Sequence, residues 1–413
     1  MSCGIPCIFQ EGIMTDFKPV FRMIVTSDIH IQEGGVQIER FREGMKFAYD
    51  YAAGQDYNKV DAFFAVGDFA NCGSEWEMLA FRDLLDECIA SDTEKTLMLA
   101  SHEFKFDSQQ GAYERFQSIY NMERDTHKVL GGFHCISVST ENGCRFGDEK
   151  RDWLRTELRK AADADPQKPI FVFQHPHITD TVAGSILWGE DDLTAILMDY
   201  PQIIDFSGHS HAPVNDPRSI HQRHFTCHGT GSFSYFELDE FDKIYGTVPP
   251  DHKECAQFLI VEADAQGTVR ILPVDVLTKN FFPCVREIKT PWEPNSFVYT
   301  AKRYQTSVKP YFTDEAKIQV ERYENNALTL RFSQAEIAED MVDDYIVRLR
   351  KQKDGTVMKQ AAVWSSYYLY NMPETVCVTL ADVPAGDYKA EIIAQGFWNN
   401  RSETPLTLEF TLD

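Results

Sequence analysis

The sequence predicts an α/β domain followed by an all-β sandwich. Three observations carry this. From Phe21 to about Ala212, short apolar runs alternate with amphipathic helical periods. From about residue 297 onward only short strand-like runs occur, spaced by turns. The apolar runs of the first part end, one after another, in residues of metal-ligand type. A chain of 413 residues has room for two or three domains, and 43% hydrophobic with 25% charged residues is the composition of a folded protein.

Taken in order, buried strands are expected at FRMIVTS (21–27), VDAFFAVG (60–67), KTLMLAS (95–101), HCISVS (134–139), PIFVFQH (169–175) and QIIDFSG (202–208). Helices are expected over 36–53, 75–90 and 148–162, where apolar residues recur every three or four positions; Trp153, Leu154 and Leu158 share one face of the last. Residues 222–237 read as a strand and 256–276 as a hairpin turning at 264–267, with an acidic, proline-containing insertion between them. The proline-rich connector KTPWEPNS (289–296) leads into seven short strands, two of them joined by Asp354-Gly355 as a hairpin turn. The expected division is an N-terminal extension (1–20), a first domain (21–288) and a β-sandwich domain (297–413).

Charge narrows the function classes. With 40 basic and 64 acidic residues the formal charge is −24, and no basic run segregates it, so phosphate backbones and anionic membranes are repelled. No stretch approaches the ~20 apolar residues of a membrane span. The first residues lack a basic segment followed by an apolar one, and the ten scattered cysteines then read as free thiols in a reducing compartment, which makes the expected location cytoplasmic. Cys3 and Cys7 form a lone C-x₃-C pair, a weak metal signal.

Five strand ends carry the chemistry: SDIH (Asp28, His30), VGDFAN (Asp68), ASHEF (Ser101, His102, Glu103), FQHPH (His175) and SGHSH (His209, His211). In α/β sheets the functional crevice lies beyond the carboxyl ends of strands, so these groups can share one rim. Carboxylate and imidazole donors suit zinc, manganese or iron, and the lack of cysteine among them argues against a structural zinc site. Singly, each group has a plainer reading: Asp68 or Asn71 as a helix cap, His175 as a satisfied core histidine, with His177 competing for its place. Jointly, five such endings are hard to explain by capping and core packing.

This ordered set resembles the calcineurin-like metallophosphoesterase family, whose pattern is D-x-H, G-D, G-N-H-[DE], H, G-H-x-H. The likeness spans about 21–275 and includes the RDWLRTELRKA helix before the fourth motif. It implies two mixed β-sheets packed as a sandwich and flanked by helices. It implies two metal ions (manganese, iron or zinc), the first held by Asp28, His30, Asp68 and His211, the second by Asp68, His175 and His209, with Asp68 shared. His102 is implied as the catalytic group beside the leaving oxygen, and Glu103 either orients its ring or is solvated. The implied reaction is hydrolysis of a small phosphomonoester or phosphodiester, nucleotides included, by a metal-activated hydroxide. One departure stands out: Ser101 occupies the position of the family's metal-binding asparagine, and as a shorter, poorer donor it weakens the second site. That departure opens the alternative of a non-catalytic metal- or phospholigand-binding protein. The stretch from Leu380 to Phe410, with a tyrosine after a proline–glycine turn, resembles the end of a fibronectin type III module. That domain is the expected place for a protein partner or self-association.

Overall fold

The computed structural model describes residues 17–413 except 142, 239 and 339. The Cys3–Cys7 pair and most of the expected 1–20 extension lie outside the described residues. The chain divides into two compact units: residues through Phe236 together with Lys253–Thr300, and Glu237–His252 together with Ala301–Asp413.

The first unit opens with β1 (Pro19–Thr26), α1 (Gln37–Ala53), β2 (Ala62–Ala65), α2 (Glu75–Cys88), β3 (Glu94–Leu97) and α3 (Gln109–Tyr120). It continues with β4 (Asp125–Leu130), β5 (Phe133–Val138), α4 (Asp148–Ala164), β6 (Ile170–Gln174), β7 (His177–Ile178), α5 (Ser185–Trp188), β8 (Gly189–Glu190) and α6 (Thr194–Leu197). β9 (Ile203–Ser207), β10 (Ile220–Gln222), β11 (Thr226–Gly229), β12 (Gln257–Asp264), β13 (Val269–Asp275), β14 (Asn280–Phe281) and β15 (Arg286–Ile288) complete it.

Two mixed sheets result, in the orders β14-β13-β12-β1-β2-β3, with β15 also on β13, and β10-β11-β9-β6-β5-β4. Within them β1, β2 and β3 run parallel, as do β5, β6, β9 and β11. Parallel strands need both faces covered. One face of each sheet meets the other through aromatic rings: Phe64 stacks on Phe173 at 3.8 Å, and Phe21 meets Phe133 at 5.6 Å. The outer face of the first sheet is covered by α1, α2 and α3 through Phe41, Met45, Phe81 and Phe116. The outer face of the second is covered by α4 and α6 through Leu154, Leu158 and Ile196. α2 starts at a capping box in which Ser74 Oγ accepts from the Glu77 amide and the Glu77 carboxylate accepts from the Ser74 amide. Neither Asp68 nor Asn71 caps it.

The structure differs from the sequence reading in two places within the first unit. The strand expected over 222–237 is instead the short antiparallel pair β10 and β11; the chain then leaves the sheet, with Gly231 at φ +74°, and returns toward β1, where the Phe233 amide donates to the Asp28 carbonyl. α3 and β4 were not expected. α3 buries only Ala112 and Phe116 along its 12 residues, and β4 is an edge strand without a fully buried side chain, so neither shows a strong apolar period.

The second unit contains α7 (Arg303–Thr306) and the strands β16 (Ile318–Glu324), β17 (Ala327–Ser333), β18 (Val342–Lys351), β19 (Val357–Trp364), β20 (Thr375–Leu380), β21 (Gly386–Gly396) and β22 (Leu406–Leu412). They form the antiparallel sheets β16-β17-β20 and β19-β18-β21-β22 around Leu330, Tyr345, Val347, Val378 and Ile392. Residues 237–252, read from the sequence as an insertion in the first domain, group with this unit. Among the described residues no helix is long and apolar enough to cross a membrane.

Candidate metal centre

The loops that follow β1, β2, β3, β6 and β9 bring together the side chains singled out above. Their backbone is unusual. Asp28, His30, Asp68, His209 and His211 all have φ between +49° and +72°, a region that residues with a Cβ seldom adopt. Such strain persists only where surrounding structure holds it, and it collects at functional sites. Two glycines make the crowding possible. A Cβ on Gly67, itself at φ +86°, meets Ala100 Cβ at 2.5 Å and His175 Nδ1 at 2.7 Å; one on Gly208 meets Asp28 Oδ2 at 2.4 Å.

Asp28, His30 and His211 bring ligand atoms within 4.8 Å of one another. Asp28 Oδ2 accepts from Ser27 Oγ at 2.5 Å and from the His209 amide at 3.0 Å, which turns Oδ1 inward. Oδ1 is buried, lacks a hydrogen-bond partner among the described residues, and lies 3.3 Å from His211 Nε2. His211 Nδ1 donates to the Tyr235 carbonyl at 3.0 Å, so Nε2 carries the lone pair; it lies 3.1 Å from His30 Nε2.

Asp68, His175 and His209 make a second such group, and His30, Asp68 and His102 a third. His175 Nδ1 donates to the Val66 carbonyl at 2.7 Å, leaving Nε2 toward Asp68 Oδ2 at 3.0 Å. Nε2 has no hydrogen-bond partner of acceptable geometry among the described residues, although the ring is only 1% exposed. Asp68 thus stands between both clusters. Ser101 lies beside it, but its hydroxyl points at the Asp68 carboxylate, 3.1 and 3.4 Å away.

Burial and charge set the protonation. Burial by itself raises the Asp28 carboxyl, but the His211 and His175 imidazoles outweigh it and hold Asp28 below the usual carboxylate range; Asp68 is lowered in the same way, chiefly by His175. Burial drives His30 down to about 3 and His209 to about 4. Against burial, Asp68 and Asp28 lift His175 to about 9. Anionic carboxylates bind cations as they stand, and His30 and His209 are neutral, whereas His175 gives up its Nε2 proton when an ion takes its place beside Asp68 and Asp28. The two inward orphan atoms, Asp28 Oδ1 and His175 Nε2, and the converging Nε2 atoms fit a pair of cations among oxygen and nitrogen donors.

His102 Nδ1 donates to the Asn71 carbonyl at 2.6 Å, its amide donates to Asp68 Oδ1 at 2.8 Å, and its Nε2 meets Lys105 Nζ at 2.5 Å. The role expected for Glu103 is corrected. Its carboxylate, fully buried, neither orients the His102 ring nor meets solvent; it accepts from the amides of Asp68 (3.1 Å), Ala70 (2.9 Å) and Ala100 (2.9 Å). From the loop after β3 the Glu103 side chain reaches the amides of both strand-end loops.

His177 is a satisfied core histidine, bonded at both nitrogens to Ser207 and Ser210. His224 is exposed, and His228 is buried on β11. Two of the neighbours, Cys144 and Tyr235, escaped the sequence reading. Cys144, in the loop after β5, places Sγ 3.4 Å from His209 Nε2, so a cysteine does stand at this rim. Tyr235 lies 4.1 Å from the His211 ring, and Trp188 on α5 stands edge-on to His209 at 5.4 Å. Trp188 belongs to the segment TDTVAGSILWGEDD (179–192), which the sequence reads as overhanging the rim, its ring either stacking on a base or sugar or packing locally.

Residues 21–213 match the family model described as calcineurin-like phosphoesterase. A purple acid phosphatase from yellow lupin (Lupinus luteus) seeds is similar at 14% identity with a TM-score of 0.47, covering 66% of this chain; the chain spans 55% of that protein. A Bacteroides vulgatus protein with an immunoglobulin-like β-sandwich fold is similar at 22% identity over 25% of this chain and 98% of its own, with a TM-score of 0.16. No curated protein matches the chain. The first unit has a metallophosphoesterase-like α/β core, residues 21–213 of the chain matching that family model, and the second unit is all-β.

Proposed function

We propose that the chain is a hydrolase of small phosphomonoesters or phosphodiesters, nucleotides included, that works with two bound cations of manganese, iron or zinc. Asp28, His30, Asp68 and His211 hold the first ion; Asp68, His175 and His209 hold the second, with Ser101 at its edge. The observation that carries this reading is the pair of buried inward atoms, Asp28 Oδ1 and His175 Nε2, which lack hydrogen-bond partners among the described residues. Each faces only an ion-pair contact, Asp28 Oδ1 with His211 Nε2 at 3.3 Å and His175 Nε2 with Asp68 Oδ2 at 3.0 Å, and a cation among them would engage both atoms.

When bound, such ions supply Lewis-acid stabilisation of a phosphoryl group and lower the pKa of an attacking water. The chain's own residues then orient and donate. The carbonyls of Val66 and Tyr235 hold the His175 and His211 rings in place. With Nδ1 tied to Asn71, His102 serves the leaving oxygen through Nε2, which Lys105 Nζ approaches at 2.5 Å. For the second unit we take the fibronectin type III-like reading, supported by its three- and four-stranded antiparallel sheets and by Tyr388, which donates from the start of β21 to the Pro384 carbonyl at 2.9 Å. It is the proposed place for a protein partner or self-association.

A second reading rests on Ser101, whose hydroxyl engages Asp68 rather than offering a free donor. In that reading the chain binds a metal or phospholigand without turnover. One experiment separates the two. The wild type is expected to bind two equivalents of metal and to hydrolyse an aryl phosphoester; the double variant His209→Ala/His211→Ala should lose both. Unchanged turnover in the double variant refutes the site. Metal binding without turnover in the wild type favours the second reading.

A further inference from the structure

In the run ASHEFKFD, Lys105 follows His102 by three residues, and the loop after β3 turns there, the Lys105 amide donating to the His102 carbonyl at 3.2 Å. That turn sets the lysine beside the imidazole. Nζ donates to His102 Nε2 at 2.5 Å, while Nδ1 of the same ring is held by the Asn71 carbonyl. His102 Nε2 in turn lies 3.9 Å from Asp68 Oδ2. The ammonium, exposed to solvent, therefore stands beside the group that serves the leaving oxygen.

Among the described residues this ammonium has no ion pair, in a chain with 64 acidic residues. The acids around it are engaged elsewhere. Glu103 is taken by three backbone amides, Asp107 pairs with Arg115 at 2.5 Å, and Glu77 accepts from the amides of Cys72 and Ser74, both at 3.0 Å. A second group is free at the same place. Asn71, whose carbonyl holds the His102 ring, is partly exposed, and its side-chain amide takes part in no hydrogen bond among the described residues. A mobile ammonium and a free amide on either nitrogen's side of one imidazole are donors suited to an anion.

Resting on the hydrolase reading above, we propose that Lys105, with Asn71, binds a negatively charged group on the leaving side of the substrate. Preferred substrates then carry a phosphate or carboxylate close to the scissile oxygen. An uncharged leaving fragment gives the ammonium nothing to meet and leaves it on His102 Nε2. An anion draws it away on its flexible four-carbon stem and frees Nε2 for the leaving oxygen. With a formal charge of −24 on the whole chain, a local cation at the rim also offsets the repulsion that a doubly anionic substrate meets.

The test compares the full-length, metal-loaded wild type with Lys105→Met and Lys105→Arg on two substrate pairs. ADP and AMP share a nucleoside, but only ADP leaves a phosphate on the departing fragment. 2-Phosphoglycerate and glycerol 2-phosphate differ by a carboxylate there. In the wild type the ratio of kcat/KM, anionic over neutral, is expected to exceed one in at least one pair, and that pair names the anion. In Lys105→Met the ratio should fall roughly tenfold, through KM, as one charge-assisted hydrogen bond is lost. Lys105→Arg should retain part of it. These ratios do not depend on the fraction of active enzyme, so an incompletely folded or loaded variant still reports. Calorimetry adds a readout without turnover: the non-hydrolysable analogue of the preferred anion, methylenediphosphonate or phosphonoacetate, should lose about tenfold in affinity in Lys105→Met relative to ethylphosphonate. An equal fall on all four substrates, with the ratios kept, would show that Lys105 only seats His102. That result, or a wild type that prefers neither anionic member, overturns the proposal and leaves the hydrolase reading standing. No turnover of these four or of an aryl phosphoester by the wild type removes the hydrolase reading and this proposal with it.

Discussion

Glu103 accepts hydrogen bonds from three backbone amides drawn from two loops, those of Asp68 and Ala70 after β2 and that of Ala100 after β3. Burial, and then the negative Asp68, push its pKa up to about 8, while the Ala70 and Ala100 amides pull it down. Those amides need an acceptor at neutral pH. In Glu103→Ala they are left buried and unpaired, at about 1–3 kcal/mol each. A loss of about 3 kcal/mol or more in urea unfolding is expected, together with weaker metal binding because the Asp68 loop is released. Glu103→Gln keeps one acceptor oxygen and should lose less. Wild-type stability and metal affinity in Glu103→Ala would show that the loops hold themselves. The sequence shows Glu103 only as one member of ASHEF; where its carboxylate goes depends on two strands meeting side by side.

β9 buries an acid in the middle of its run. Asp205 is fully buried, accepts from Gln174 Nε2 at 3.2 Å, and is pushed by burial to a pKa of about 8 from the ordinary 3.8. The folded state therefore keeps a proton that the unfolded chain releases. Its contribution to stability is fully present below about pH 4 and is lost progressively as the pH rises toward about 8. Asp205→Asn retains the shape and the contact with Gln174 and cannot ionise. It should match the wild type near pH 4 and exceed it by a few kcal/mol near pH 8, as read from denaturant midpoints. Equal midpoints at both pH values would show that Asp205 ionises freely in the fold. The strand itself was legible as QIIDFSG, because four of its residues are apolar or small and the run is bounded. β4 and α3 were not, because edge strands and half-exposed helices carry weak periodicity.

At the scale of the whole molecule, the second unit includes a piece of chain from far upstream. Lys243 is buried, with Nζ 2.6 Å from Asp344 on β18, 2.5 Å from Glu240 and 2.8 Å from Asp242. Asp344 is itself only 1% exposed. Lys243→Met strands that carboxylate, and breaking a buried pair by removing one partner costs about 3–5 kcal/mol. A loss of this size in the unfolding of the second unit is expected, with partial recovery in Lys243→Met/Asp344→Asn. No loss in the single variant would mean that residues 237–252 contribute nothing to that unit. Read along the chain, this acidic, proline-containing stretch looks like an insertion, because neither its composition nor its spacing identifies a partner about a hundred positions away.

What the sequence by itself determined is the order and type of the buried strands and amphipathic helices that carry the rim, and the ordered endings SDIH, VGDF, ASHEF, FQHPH and SGHSH. Apolar runs, helical periods and turns are local, and ligand types at strand ends follow from where each run stops. Only the tertiary structure decided which atoms face one another: Asp28 Oδ1 inward and Oδ2 tied to Ser27, His175 Nε2 toward Asp68 Oδ2, and Cys144 beside His209. These depend on loops at left-handed φ and on strands from two sheets ending at one rim, contacts between residues up to 183 positions apart, which no local pattern encodes.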